Sequence, residues 1–145
     1  MNEDTYPFTL AKSEFRYEFK SISSEKEVQK VVLITQTQTP QIFNLALVDI
    51  LDDGTMSDVS VTNNDDLKTV LATVIKIIED FLDKNKGCFV LFKGSDKRRQ
   101  RLYRIVINRE YNLIIQKFQL WGIFNNDLVE FSKNQDMDFY LIGKK

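Results

Sequence analysis

LKTVLATVIKIIEDFL, Leu67 to Leu82, places Leu67, Val70, Leu71, Val74, Ile75, Ile78, Phe81 and Leu82 at the i, i+3, i+4, i+7 spacing of one helix face. Before it, Asn63-Asn64-Asp65-Asp66 offers side-chain oxygens to cap the first turn and carboxylates to meet its positive dipole end. After it, Gly87 is available as the stop. A helix with one apolar stripe must lay that stripe on something, and the flanking sequence predicts a sheet.

Upstream, Phe15-Arg16-Tyr17-Glu18-Phe19-Lys20 alternates aromatic and charged residues at period two, the pattern of a strand with one buried face. Ser23 to Lys26 reads as a turn, Val28 to Thr37 as a β-branched strand interrupted by Thr39-Pro40, and Ile42 to Val48 as a buried strand. Asp52-Asp53-Gly54-Thr55 reads as a hairpin turn with Gly54 at positive φ, and Met56 to Thr62 as the return strand. These four strands predict an N-terminal antiparallel meander.

Downstream, Cys88 to Phe92 is a short apolar strand and Ser95 can cap a second, basic helix. A helical wheel puts Leu102, Ile105 and Val106 on one face and Lys97, Arg101 and Arg104 on the other. Ile107 falls outside that apolar face, so the helix is expected to end there, with Asn108 capping a third over 109–117. Leu120 to Phe124, Leu128 to Phe131 and Phe139 to Ile142 read as closing strands. The expectation is one α+β domain over 1–145: a mostly antiparallel sheet with a long amphipathic helix and a shorter basic helix packed on it.

Composition narrows the chemistry. The 145 residues include one cysteine and no histidine, which removes Ser-His and Cys-His nucleophile pairs, imidazole acid/base work and ordinary Cys/His zinc sites. Cys88 lies in an apolar run and reads as a small buried hydrophobe; one thiol closes no internal disulfide, and with no signal-like N-terminus or membrane-length apolar run the expected setting is cytoplasmic. No cofactor or metal is expected: Asp49, Asp52, Asp53 and Asp58 surround Gly54, but Leu51 and Ser60 fall where a calcium loop needs ligands. Nor is there a GxxxxGK[ST] phosphate loop.

Charge is unevenly placed. Net charge is -1, yet residues 93–109 carry seven basic side chains against one acid, and residues 49–83 nine acids against two lysines. Lys97, Arg98 and Arg99 stand in a helix first turn, where the macrodipole disfavours each cation by roughly 0.3–1 kcal/mol. Either an internal acid offsets them or the segment KGSDKRRQRLYR, Lys93 to Arg104, meets an external anion. In the second case Gly94 would permit close approach, and Arg101 and Arg104 would grip phosphate. Arg99 and Lys97 would then steer the ligand, and Tyr103 would position it or shield it. Asn64 and Asp65, with Ser95, complete the candidate site, because two helix starts facing one another would bring the acidic tract to Arg101 and Arg104. The strand aromatics Phe15, Tyr17 and Phe19 could form a stacking platform, but period-two aromatics opposite charges are better read as core.

Phe43-Asn44-Leu45-Ala46, Val61-Thr62-Asn63-Asn64-Asp65-Asp66, Val70-Leu71-Ala72-Thr73-Val74, and Gly94-Ser95 with Arg99 and Arg101-Leu102-Tyr103-Arg104 resemble, in order and spacing, a family of small bacterial proteins carried as a domain of unknown function. The resemblance covers about residues 40–125 and implies kinship without a reaction. It puts Arg99, Arg101, Tyr103 and Arg104 in the shared signature, whereas Lys97 and Arg98 stand where relatives carry small or neutral residues. Asp65 replaces a glycine of the family pattern.

The leading functional expectation is a noncatalytic anion-binding module for RNA, single-stranded DNA or another phosphate-bearing ligand. An alternative partner is an acidic protein, in a two-protein bacterial module. A third reading, a histidine-free nuclease, would need Arg101, Arg104 and Tyr103 to converge on one phosphate. No membrane partner is expected.

Overall fold

The computed structural model describes residues 5–11, 15–22, 27–57, 67–94, 97–133 and 135–145. Among them, β1 (Phe8–Ala11), β2 (Arg16–Ile22), β3 (Glu27–Gln36), β4 (Ile42–Ile50) and β5 (Met56–Ser57) precede α1 (Leu67–Lys84). Then follow β6 (Phe89–Phe92), α2 (Lys97–Lys117), β7 (Phe118–Phe124), β8 (Asp127–Glu130) and β9 (Phe139–Lys144). The strands form one sheet in the order β1-β2-β3-β4-β6-β9-β7-β8, with β5 added to the end of β4. Among the described residues every pairing is antiparallel except β4 with β6.

The α+β class and the mostly antiparallel sheet thus hold. β2, β3 and β4 pair as expected; the fourth strand of the expected meander is described only at Met56–Ser57, and β1 adds an edge strand that the sequence reading lacks. Gly54 has φ +86° in a turn closed by Gly54 N–H to the Leu51 carbonyl at 2.8 Å. Both Thr55 N–H and Thr55 Oγ1 donate to Asp53 Oδ1, at 3.0 and 2.6 Å, so Asp53 is a turn residue and its carboxyl is held below the ordinary range.

The single parallel pairing positions both helices. Parallel neighbours need a crossover, and α1 provides it between β4 and β6. β7 again runs in the direction of β6, with antiparallel β9 between them, and α2 is that crossover. Both helices therefore begin at the end of the sheet where β4 and β6 finish. Cross-strand neighbours Tyr17, Val32 and Leu47, and Ile34, Leu45, Phe92 and Tyr140, share one face, and all join the core cluster with both helices.

The basic helix is the main correction. It neither ends at Ile107 nor is the shorter one: α2 runs unbroken for 21 residues against 18 in α1, so Asn108 lies inside it and caps nothing. The reason is the buried face. Tyr103, Val106, Ile107 and Ile114 face the core, whereas Ile105 is 37% exposed. Leu102-Tyr103-Arg104-Ile105-Val106-Ile107 has apolar residues nearly all round the wheel, and tertiary packing chose the face containing Ile107, which continues through Ile114 without a break.

Candidate functional site

Six cations lie between Lys93 and Arg104, and the fold gives the described ones different surroundings. The Lys93 ammonium lies over the Phe139 ring, 4.9 Å from its centroid. Arg99 is half-buried and has a partner. Arg104, with its side chain 22% exposed, donates from Nη1 to Asp136. Lys97 and Arg101 stand exposed and make no ion pair among the described residues. The Arg98 side chain lies outside the described residues, as do Ser95 and the Asn63 to Asp66 tract, so the expected meeting of Asn64 and Asp65 with the arginines falls outside them too.

The acidic 49–83 region spends its described charges elsewhere. Lys30 Nζ is 2.6 Å from Asp49 Oδ1 in a pair with both side chains under one-tenth exposed. Asp80 accepts from the Tyr17 hydroxyl at 2.9 Å and pairs with Lys84 at 3.0 Å. Glu79 faces Lys76 and Lys117, and Asp83 faces Lys144 at 2.6 Å. Those pairs tie α1 to its own surface, to the far end of α2 and to β9, and none of the described acids of this region reaches Lys97 or Arg101.

Gly94 serves a different purpose from the anion approach expected of it. A Cβ there would come within 2.4 Å of the Gln100 backbone nitrogen, so it is the first turn of α2 that occupies the space. Gln100 then locks the arrangement: its Oε1 accepts Gly94 N–H at 2.6 Å, and its Nε2 donates to the Met137 carbonyl at 2.7 Å. Sequence reasoning missed Gln100, although it is the one uncharged residue between Lys97 and Arg101.

Tyr103 also moves from the expected site. It is 9% exposed, belongs to the core, and lines an apolar slot with Leu45, Leu71, Val74, Phe92 and Val106. The slot holds about 30 Å³ of free space, room for little more than a water. Two positions of helix separate Arg101 from Tyr103, about 200° of rotation. They point to opposite sides, and the nuclease constellation of Arg101, Arg104 and Tyr103 does not form. The strand aromatics are core, as their alternation suggests, and form no stacking platform: Tyr17 and Phe19 are buried and Phe15 packs edge-on against Phe43 and Phe81.

What remains outside is a ridge. Lys97, Arg101, Ile105 and Arg109 recur every four residues along α2, and all four are exposed. At 1.5 Å per residue the row spans about 18 Å. A row of cations with one exposed aliphatic chain can contact an extended polyanion or the acidic rim of a protein. No group of residues that could hold a metal occurs among those described.

The family model described as a family of unknown function (DUF6934) matches residues 2–145. The chain belongs to this family. The match runs almost the full length, well beyond the 40–125 stretch in which the resemblance is legible by eye. No curated protein and no solved structure matches the DUF6934 chain. Among its described residues no helix is long and apolar enough to cross a membrane.

Proposed function

We propose that this chain is a noncatalytic anion-binding module whose ligand is the phosphate backbone of RNA or single-stranded DNA, engaged by the exposed row Lys97, Arg101 and Arg109. The observation that carries this reading is the pairing pattern: the described acids of α1 are engaged with Tyr17 and lysines, while Lys97 and Arg101 have no ionic partner among the described residues. Cations left unpaired near the dipole-positive end of a helix favour an external anion over an internal one. Arg104 borders the row, and Arg99 lends its field to steering. The bacterial cytoplasm is the proposed setting, which suits a chain with one free thiol.

A second reading has its own support. Ile105, 37% exposed between Arg101 and Arg109, puts an aliphatic contact inside the cationic row, as a surface for an acidic protein partner would. Titrating a short single-stranded oligonucleotide at several salt concentrations tests the first reading. Counterion release gives each phosphate contact a share of the salt slope, which a chain without nucleic-acid affinity lacks.

A further inference from the structure

Both helices lie on one face of the sheet, and the residues that alternate with that core face point the other way. Leu91, Leu141 and Trp121 are cross-strand neighbours there, on β6, β9 and β7. Phe139, Ile123 and Leu128 form the next row, from β9 to β8. None of the six belongs to the core cluster that the helices cover. Leu141 is buried and Leu128 is 59% exposed, while the other four are partly exposed.

The chemistry of this face changes across the sheet. On β2 it carries Arg16, Glu18 and Lys20, the charged alternation of a solvated surface, with Arg16 Nε 3.0 Å from Glu18 Oε1. On β4, β6, β9 and β7 it carries no charged side chain. Its rings lie along the sheet: Phe89 covers Gly143, where a Cβ would come within 2.6 Å of the ring, and its centroid is 5.8 Å from that of Trp121. The Lys93 ammonium closes one edge over the Phe139 ring, and Glu130, opposite Trp121 on β8, closes the other. An uncharged apolar patch with a polar rim marks an interaction surface, because an antiparallel sheet that faces water alternates as β2 does.

We propose that this face is covered by a second copy of the chain, the two sheets packing face to face in a four-layer helix–sheet–sheet–helix dimer. A two-fold contact sets a patch against itself, so a patch of one sign would repel its copy; this one has an uncharged centre and opposite charges on its two edges. A two-fold axis running along the strands between β9 and β7 lays β6 over β8 of the other copy, which brings the Lys93 edge of each chain to the Glu130 edge of its mate. Rings lying along the sheet suit the spacing of about 10 Å between stacked sheets. Area is sufficient as well. The six strands from β3 to β8, about 4.8 Å apart and about five residues deep, give close to 500 Å² per copy. Two copies reach the roughly 1,000 Å² that a specific interface needs. The Lys97 to Arg109 row of α2 stays on the outside of each layer, so the dimer stands independently of the anion-binding reading.

Trp121 is the only tryptophan, and its fluorescence therefore reports on this face. Sedimentation of the full chain is expected to show twice the chain mass at micromolar concentration, with Trp121 emission moving to longer wavelength as dilution dissociates the pair. Leu128→Lys should weaken association at least about tenfold and leave the circular dichroism unchanged, since Leu128 is exposed within one chain. Phe124→Lys, at another exposed position of the β7–β8 hairpin but on the face shared with Phe118 and Leu120, should leave association unchanged. A chain still monomeric at about 100 μM overturns the proposal. So does a dimer that Leu128→Lys leaves intact or that Phe124→Lys weakens equally, and so does Trp121 emission that stays fixed through dissociation, which needs no variant. A monomer whose Trp121 emission answers to a single-stranded oligonucleotide makes the face a base-stacking platform and overturns the dimer. Loss of oligonucleotide binding with association intact overturns the ridge alone.

Discussion

Gly94 donates its backbone N–H to the Gln100 side chain at 2.6 Å, six residues ahead of it, and has no Cβ because the α2 backbone at Gln100 fills that space. The same amide holds the Met137 carbonyl, so one side chain joins the end of β6, the start of α2 and the approach to β9. Gln100→Ala should cost about 1–3 kcal/mol, the penalty for orphaning those backbone groups. Gly94→Ala should cost at least as much, because its Cβ meets backbone rather than a flexible side chain. Urea denaturation measures both. A near-neutral Gly94→Ala would mean that α2 does not pack against this position.

Lys30 and Asp49 face each other across β3 and β4 on the helix-covered side of the sheet. Removing one partner leaves a buried charge uncompensated, so Asp49→Ala is expected to destabilise by about 3–5 kcal/mol. Replacing both, as Lys30→Met with Asp49→Leu, should cost much less. Urea melts of the single and double variants check this, and a double variant as damaged as the single would contradict it.

Alkali should weaken the fold through two tyrosines. Burial, then the Asp80 hydrogen bond, raises the Tyr17 pKa well above its ordinary value, and burial raises that of Tyr140 to about 12. Above about pH 10 the unfolded chain releases these protons first, so stability is whole below that pH and falls as pH rises through the folded values. Tyr140→Phe should flatten part of that decline relative to wild type. Unfolding free energies on either side of about pH 10 check the slope.

Much of this fold is legible in its residues. The Leu67 to Leu82 stripe, the β2 alternation and the Asp53-Gly54 turn each have a period or a backbone requirement that little else satisfies. The face and length of α2 are not legible, because a tract apolar nearly all round lets packing decide, and the core took Tyr103 and Ile107. The same ambiguity moved Tyr103 out of the expected site. Asp136 and Gln100 had no local signal: their roles come from contacts 32 and 37 residues away in sequence. A count of charge located the basic segment, but the partner of each cation is tertiary information.

The most direct test of the account is the salt dependence of binding to a short single-stranded oligonucleotide, for the wild type and for Arg101→Ala. If the ridge grips phosphates, the wild-type affinity falls steeply between about 50 and 200 mM salt, and the log–log slope shrinks by about 0.7–1 in the variant. Absence of binding at low salt, or a slope unchanged by Arg101→Ala, contradicts it.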